Sequence, residues 1–196
     1  MPSIQFLIGI DEVGRGPIAG PVAVGAFMFL NEKAKRIFRD VKESKQLTDK
    51  KREEWFRKIR IQKSKCKVDY AVCFSSSRAI NKRGITKAIK SSLNRSLKKL
   101  EVGKSTFYNS KILLDGGLKA PANYKNQKTI IRGDEKEMAI ALASICAKVT
   151  RDRYMRRLSK KYPRYGFEIH KGYGTKKHYE AIRKYGVCRE HRLTFL

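Results

Sequence analysis

In a chain with 46 lysines and arginines against 18 aspartates and glutamates, the informative residues are acids that solvation alone does not explain. Asp11 and Glu12 follow the apolar run IQFLIGI at 4–10; Asp115 follows KILL at 111–114 and precedes two glycines. A carboxylate at the end of a buried strand is costly unless something positive waits there, and adjacent carboxylates raise one another's pKa. A divalent cation removes that penalty, because hard cations take oxygen ligands and Mg2+ needs only a few carboxylates plus water and phosphate. Asp11-Glu12 taken alone reads equally well as a pair of turn residues facing water. With Asp115 included, the metal reading moves ahead. Successive strand residues point to opposite faces, so both acids reach one site only where the strand ends or bends. Glycines at 9, 14 and 16 allow that.

Asp134 has a competing role. It opens a long helical pattern in Gly133-Asp134-Glu135-Lys136-Glu137, and D-x-x-E resembles a capping box, so on spacing alone the N-cap role leads. The two roles are compatible, since a capping carboxylate keeps a second oxygen. Asp152, with Lys148 and Arg156 four residues to either side, reads as part of a surface ion-pair ladder.

Gly14-Arg15-Gly16, with Gly20, superficially matches a dinucleotide loop. The residues that follow, PVAVGAFMF, form a strand pattern, so no helix N-terminus would meet a pyrophosphate. A nucleotide cofactor is not expected, although such a loop can press backbone amides against a sugar or phosphate. Ser44-Lys45 stands in a polar loop. Tyr173 stands between Gly172 and Gly174, among Lys171, Lys176 and Lys177, where an aromatic ring suits packing on a sugar or base.

These residues need a scaffold, and the apolar pattern supplies one. Runs at 4–10 and 22–30 read as adjacent strands. An amphipathic helix over 49–60, capped near Thr48 or Asp49, turns Trp55, Phe56 and Ile59 to one side. A strand follows at 67–75. The stretch 78–100 carries Ile80, Ile85, Ala88, Ile89, Leu93, Leu97 and Leu100 at helical spacing. Short strands are expected at 111–114 and 128–131, a long helix over 135–160, and another near 176–185. Strands mixed with helices make an α/β domain.

Composition bounds the partners. A formal charge of +28 is tolerated most easily when the partner is a polyanion, which favours nucleic acid over a membrane surface. Residues 147–196 carry 15 lysines and arginines against 4 acids, a nucleic-acid-facing region continuous with the core. No apolar run reaches the roughly 18 residues of a transmembrane helix. The first residues lack a basic n-region, so no signal peptide is expected. Cys66, Cys73, Cys146 and Cys188 are scattered, which argues against a zinc site or a disulfide framework and fits a cytoplasmic location. His170, His178 and His191 lack the spacing of a helical metal pair and read as surface or packing residues.

Six segments in order resemble the ribonuclease HII family: GIDEVGRGPIAGPVAVGA from residue 9, ESKQLT at 43–48, LLDGGLKAP at 113–121, GDEKEMAIALASICAKVTRDR at 133–153, HKGYGTKKHYEAIRKYG at 170–186 and HRLTF at 191–195. The related ribonuclease HIII class usually has Gly-Lys-Gly in place of Gly14-Arg15-Gly16 and an N-terminal extension absent here. Val13, Glu43 and Cys146 depart from the usual pattern without touching a proposed ligand. The resemblance implies a ribonuclease H-like mixed β-sheet flanked by helices, with a small helical C-terminal region: a catalytic domain over 1–160 and a substrate-binding region over 161–196. It implies that Asp11, Glu12, Asp115 and Asp134 hold two Mg2+ or Mn2+ ions, which promotes Asp134 over its capping role and leaves Asp152 structural. By the same resemblance, the backbone of Gly14, Arg15 and Gly16 senses the ribose 2′-OH. Tyr173 packs on the sugar at the RNA–DNA junction, and Ser44 and Lys45 contact a phosphate.

The implied activity is endonucleolytic cleavage of the RNA strand in RNA/DNA hybrids, with nicking 5′ to ribonucleotides embedded in duplex DNA. A monomer without an obligate protein partner is expected, and the chain stops just after the last motif, without a clamp-binding tail. A non-catalytic RNA-binding protein would carry similar charge, but would have no reason to set Asp11, Glu12 and Asp115 against incoming phosphates. A resolvase- or transposase-like nuclease of similar fold would differ in needing no 2′-OH.

Overall fold

The structure is a computed structural model and describes residues 6–41, 47–102 and 107–196. A five-stranded mixed sheet has the order β3-β2-β1-β4-β5, with β1 at Leu7–Val13, β2 at Val22–Phe29, β3 at Val68–Ser75, β4 at Lys111–Asp115 and β5 at Gln127–Ile130. Strands β1, β2 and β3 pair antiparallel, and β4 and β5 continue parallel to β1. Both faces are covered, which is why β2 reads as the unbroken apolar run VAVGAFMF. Its residues still alternate. Val22, Val24, Ala26 and Met28 enter one core with Ile8, Ile10 and Leu114, while Phe27 and Phe29 enter the other with Phe38 and Leu142.

The first core is roofed by helix α3 (Ile85–Glu101), whose Ile89, Leu93, Leu97 and Leu100 point inward at helical spacing. Taking each such side chain out of water contributes about 1.5–3 kcal/mol. The second is roofed by α1 (Asp49–Ser64) and α5 (Met138–Lys161). The Thr48 hydroxyl accepts from Lys51 N–H and starts α1, as expected. Helix α5 presses directly on β1: a methyl group at Gly9 would overlap the Ala139 carbonyl and the Ile140 nitrogen.

Three elements differ from expectation. The stretch 78–100 is two helices, α2 (Ser77–Arg83) and α3, because Gly84 takes φ +78° and turns the chain between them. The long helix is preceded by a separate turn, α4 (Gly133–Lys136), since Glu137 is extended at φ −126°, ψ 114°. Strand β1 also runs through Asp11 and Glu12 to Val13, because the hairpin with β2 keeps pairing to Val13↔Ala23. On its other side, pairing to β4 stops at Ile10↔Leu114. The acids are therefore free of ladder partners on that edge alone.

The C-terminal part adds α6 (Phe167–His170) and α7 (Lys176–Tyr185) around a small cluster of Ala19, Met155, Leu158, Tyr165 and Phe167. It is tied to the loop between β1 and β2 by the bridge Ala19↔His191. Among the described residues, no helix is long and apolar enough to cross a membrane.

Candidate active site

Asp11 pairs with Gly25, and its side chain lies on the face covered by α5, as that of Gly25 would. It is 5% exposed. Its Oδ1 accepts the Glu12 amide at 2.7 Å, and the Ser144 hydroxyl of α5 also hydrogen-bonds it. Burial pushes its pKa up to about 8, and the neighbouring charges of Asp115, Glu12 and Asp134 push the same way. Glu12 is raised too, by burial first, while the Arg15 guanidinium at 3.3 Å restrains the rise. Asp115 ends β4, and its Oδ1 accepts the Gly133 amide at 2.6 Å.

Asp134 follows in α4, 2% exposed and close enough to Asp11 to raise its pKa. It caps neither helix. The residue before α4 is Arg132 in the left-handed region, and Glu137 precedes α5 with no side-chain cap bond. The capping expectation fails because the chain turns at Glu137, which leaves Asp134 in a single buried turn above the end of the sheet.

Four carboxylates are thus massed at one end of the sheet in a strongly cationic chain. Each of the three at strand positions leans on a local donor: Asp11 on Glu12 N–H and Ser144, Glu12 on Arg15, Asp115 on Gly133 N–H. In this side-chain arrangement, no three histidine, cysteine or acidic groups among the described residues are drawn together as a ready cage for an ion. The donor set is all oxygen, which suits a hard cation such as Mg2+ or Mn2+ rather than zinc. Burial first, and the neighbouring carboxylates after it, disfavour a charged Asp11, and a bound cation would offset both.

Gly14-Arg15-Gly16 lies beyond β1 in a loop, 14–21, that returns as β2 without meeting a helix. Tyr173 stands 45% exposed on the neighbouring 171–175 loop. The loops are stitched together, since the amides of Ile18 and Ala19 both donate to the Gly172 carbonyl, at 2.9 and 3.1 Å. Ser44 and Lys45 lie outside the described residues. Asp152 is paired with Lys148 at 2.8 Å as expected, but it is buried, and Arg156 turns instead to Glu53 at 3.7 Å. The ladder fails there because α1 packs alongside α5 and offers Arg156 a different carboxylate.

Sequence reasoning missed three groups. Ser144 is a small polar residue on the buried side of an apolar helical run, a signal that was legible. Arg151 and Arg192 are wholly buried cations under the glycine-rich loop. Arg151 Nε donates to the Pro21 carbonyl at 2.9 Å, and its charge helps push Arg192 down to about 9, after burial itself. In a chain with 46 basic residues, nothing in the sequence marks these two as internal.

A family model described as Ribonuclease HII matches residues 8–196. Ribonuclease HII of Caldicellulosiruptor bescii is 44% identical over 192 residues, covering 98% of this chain and 87% of that protein. In the PCNA:RNase HII complex from Archaeoglobus fulgidus, the matching chain is 23% identical with a TM-score of 0.76, over 97% of this chain and 95% of that one. Bst-RNase HIII in complex with Mn2+ gives the same TM-score of 0.76 at 23% identity, over 97% of this chain and 67% of that one. The two structural likenesses show the mixed sheet and its flanking helices to be a ribonuclease H fold.

Proposed function

The chain belongs to the ribonuclease HII family and is a ribonuclease H acting on RNA/DNA hybrids, and from that premise we propose that it also nicks duplex DNA on the 5′ side of single embedded ribonucleotides by a two-metal mechanism. The observation that carries this reading is Asp11: a buried carboxyl, held near pKa 8, with three further carboxylates around it. Such a group is tolerated at the end of a sheet facing polyanions if cations are its working partners.

In this reading Asp11, Glu12, Asp115 and Asp134 hold two Mg2+ or Mn2+ ions; Mn2+ is bound by Bst-RNase HIII, of the same fold. Divalent cations held by these four carboxylates would lower the pKa of the attacking water and offset the charge that develops on the departing 3′ oxygen. The chain's own part is positional. Ser144 fixes the Asp11 carboxylate, and Gly133 N–H fixes that of Asp115. Water adds to the phosphorus, the P–O3′ bond breaks, and the products are a 3′-hydroxyl and a 5′-phosphate. No histidine general base is needed; the three histidines are buried or half-buried around Phe167.

Discrimination rests on the ribose 2′-OH, the group that separates RNA from DNA. In this reading the backbone of Gly14, Arg15 and Gly16 meets it, and the exposed ring of Tyr173 packs on the adjoining sugar. Ser44 and Lys45 complete the proposed phosphate contacts. Residues 161–196 serve as a substrate-binding region continuous with a catalytic domain over 1–160. Nucleic acid is the partner this reading requires, and a cytoplasmic location fits the four free cysteines.

The test uses a labelled DNA duplex with one ribonucleotide, an all-DNA duplex and an Asp11→Asn variant, with Mg2+ or Mn2+. The expected result is a single nick 5′ to the ribonucleotide, lost in the variant and on chelation, with duplex binding retained. Tight binding without cleavage under either metal would overturn the reading, and retained turnover in Asp11→Asn would overturn the ligand assignment.

A further inference from the structure

His191 and Arg192 take no part in the scheme above, yet this buried pair reaches both halves of the proposed ribose reader, Arg192 directly and His191 through His178. Arg192 is 0% exposed, and its guanidinium donates to three carbonyls of the glycine-rich loop: Nη2 to Gly14 at 2.7 Å, Nη1 to Arg15 at 2.9 Å and Nε to Gly20 at 2.9 Å. Its backbone amide donates to a fourth, Ile18, at 2.7 Å. A rigid fork of donors suits such a task, whereas a lysine could satisfy the same carbonyls only one or two at a time.

His191 works in the other direction. The Tyr173 carbonyl lies 2.8 Å from His178 Nδ1, and a carbonyl only accepts, so that nitrogen carries the proton. His178 Nε2 is then a lone pair, 3.1 Å from His191 Nε2, which must therefore be the donor. His191 Nδ1 is then left to accept the Cys188 amide at 2.9 Å, the shorter of its two contacts with Cys188, whose carbonyl lies 3.2 Å away. A directed chain thus runs from Cys188 N–H through His191 and His178 to the backbone of Tyr173. Both rings are buried, and desolvation lowers both pKa values, His178 to about 4, so both stay neutral as the chain requires. Between the two anchors the loops abut: a methyl group at Gly172 would overlap the Ala19 carbonyl.

We propose that Arg192 and His178, the latter backed by His191, form a positioning element that fixes the spacing between the Gly14–Gly20 loop and Tyr173, so that ribonucleotide discrimination depends on side chains behind the recognition surface. The inference rests on the reading of that loop and Tyr173 as the ribose reader, and its test separates the two. Arg192→Lys keeps the charge and loses the fork. His178→Asn keeps an N–H where Nδ1–H stood, and His178→Leu removes it.

Hydrogen exchange of the free, full-length protein reads the clamp without any reaction, and Arg192→Lys is expected to speed exchange across residues 14–20. On the single-ribonucleotide duplex, kcat for that variant should fall about 10- to 100-fold while KM stays within about threefold. His178→Leu should lose the preference for a single ribonucleotide over a continuous hybrid, and His178→Asn should recover it. Unchanged exchange and kcat in Arg192→Lys would overturn the arginine arm. Equal site choice in His178→Asn and His178→Leu would overturn the histidine arm. If the unaltered enzyme cleaves hybrids but ignores single ribonucleotides, the ribose-reading premise fails, and the exchange result still decides whether the pair holds the loops.

Discussion

Asp11 carries opposite consequences with and without cations. Its folded pKa, near 8, is raised above the ordinary carboxylate value of 3.8, so folding favours the protonated form. The stability this group contributes is complete below about pH 4 and is lost as pH rises through about 8. Thermal unfolding of the cation-free protein should therefore shift down between about pH 5 and pH 8, and Asp11→Asn should flatten that slope while abolishing cleavage. Added Mg2+ or Mn2+ should raise the midpoint most at the alkaline end, and an equal rise at both ends would count against Asp11 as a ligand. At Tyr173 the expected loss is of selectivity: Tyr173→Ala should weaken junction preference on mixed RNA–DNA strands more than turnover on continuous hybrids. Asp11, Glu12 and Asp115 were legible as unusual because acids are rare in this chain and these three adjoin apolar runs. Asp134 was not legible from spacing, where its capping pattern led; only the family resemblance promoted it, and the turn at Glu137 is what defeats the cap.

The approach of α5 to β1 decides whether the acids sit under a lid of Ser144 or in open solvent. Gly9→Ala would drive a methyl group into the Ala139–Ile140 backbone, which cannot yield as a side chain could. It should cost about 1–3 kcal/mol or more in a urea titration and reduce cleavage together with stability, since Asp11 shares that face. The histidine cluster belongs to this scale as well. His178, held at about 4 against 6.5 when unfolded, contributes stability that is present above about pH 6.5 and lost as pH falls toward 4. Acid titration should therefore loosen the C-terminal elements first, read by hydrogen exchange across 165–192, and His178→Asn should blunt the effect. Strand and helix positions were readable from period and capping at Thr48. Their breaks at Gly84 and Glu137 were not, because a glycine or an extended residue within a helical pattern is indistinguishable from a tolerated one until the sheet beneath fixes the direction of the chain.

Over the whole molecule, the charge of +28 governs encounter rather than chemistry. If the duplex engages about six phosphates, affinity should fall roughly 10^3-fold between about 50 and 200 mM salt, with the same slope for Asp11→Asn. A flat salt dependence would argue that the basic C-terminal region does not face the substrate. Composition, charge and the order of six motifs were enough to determine the family, and they carry the proposed all-oxygen site and nucleic-acid partner, because those depend on which residues are present. Which cations lie inside was decided only by the tertiary structure. Arg151 and Arg192 look like any other basic residues along the chain, and they become internal where the returning C-terminus bridges Ala19 and the two guanidinium groups meet the carbonyls of Gly14, Arg15, Gly20 and Pro21. Hydrogen-bond demand from a buried loop is a property of where the backbone runs, and a linear sequence does not carry it.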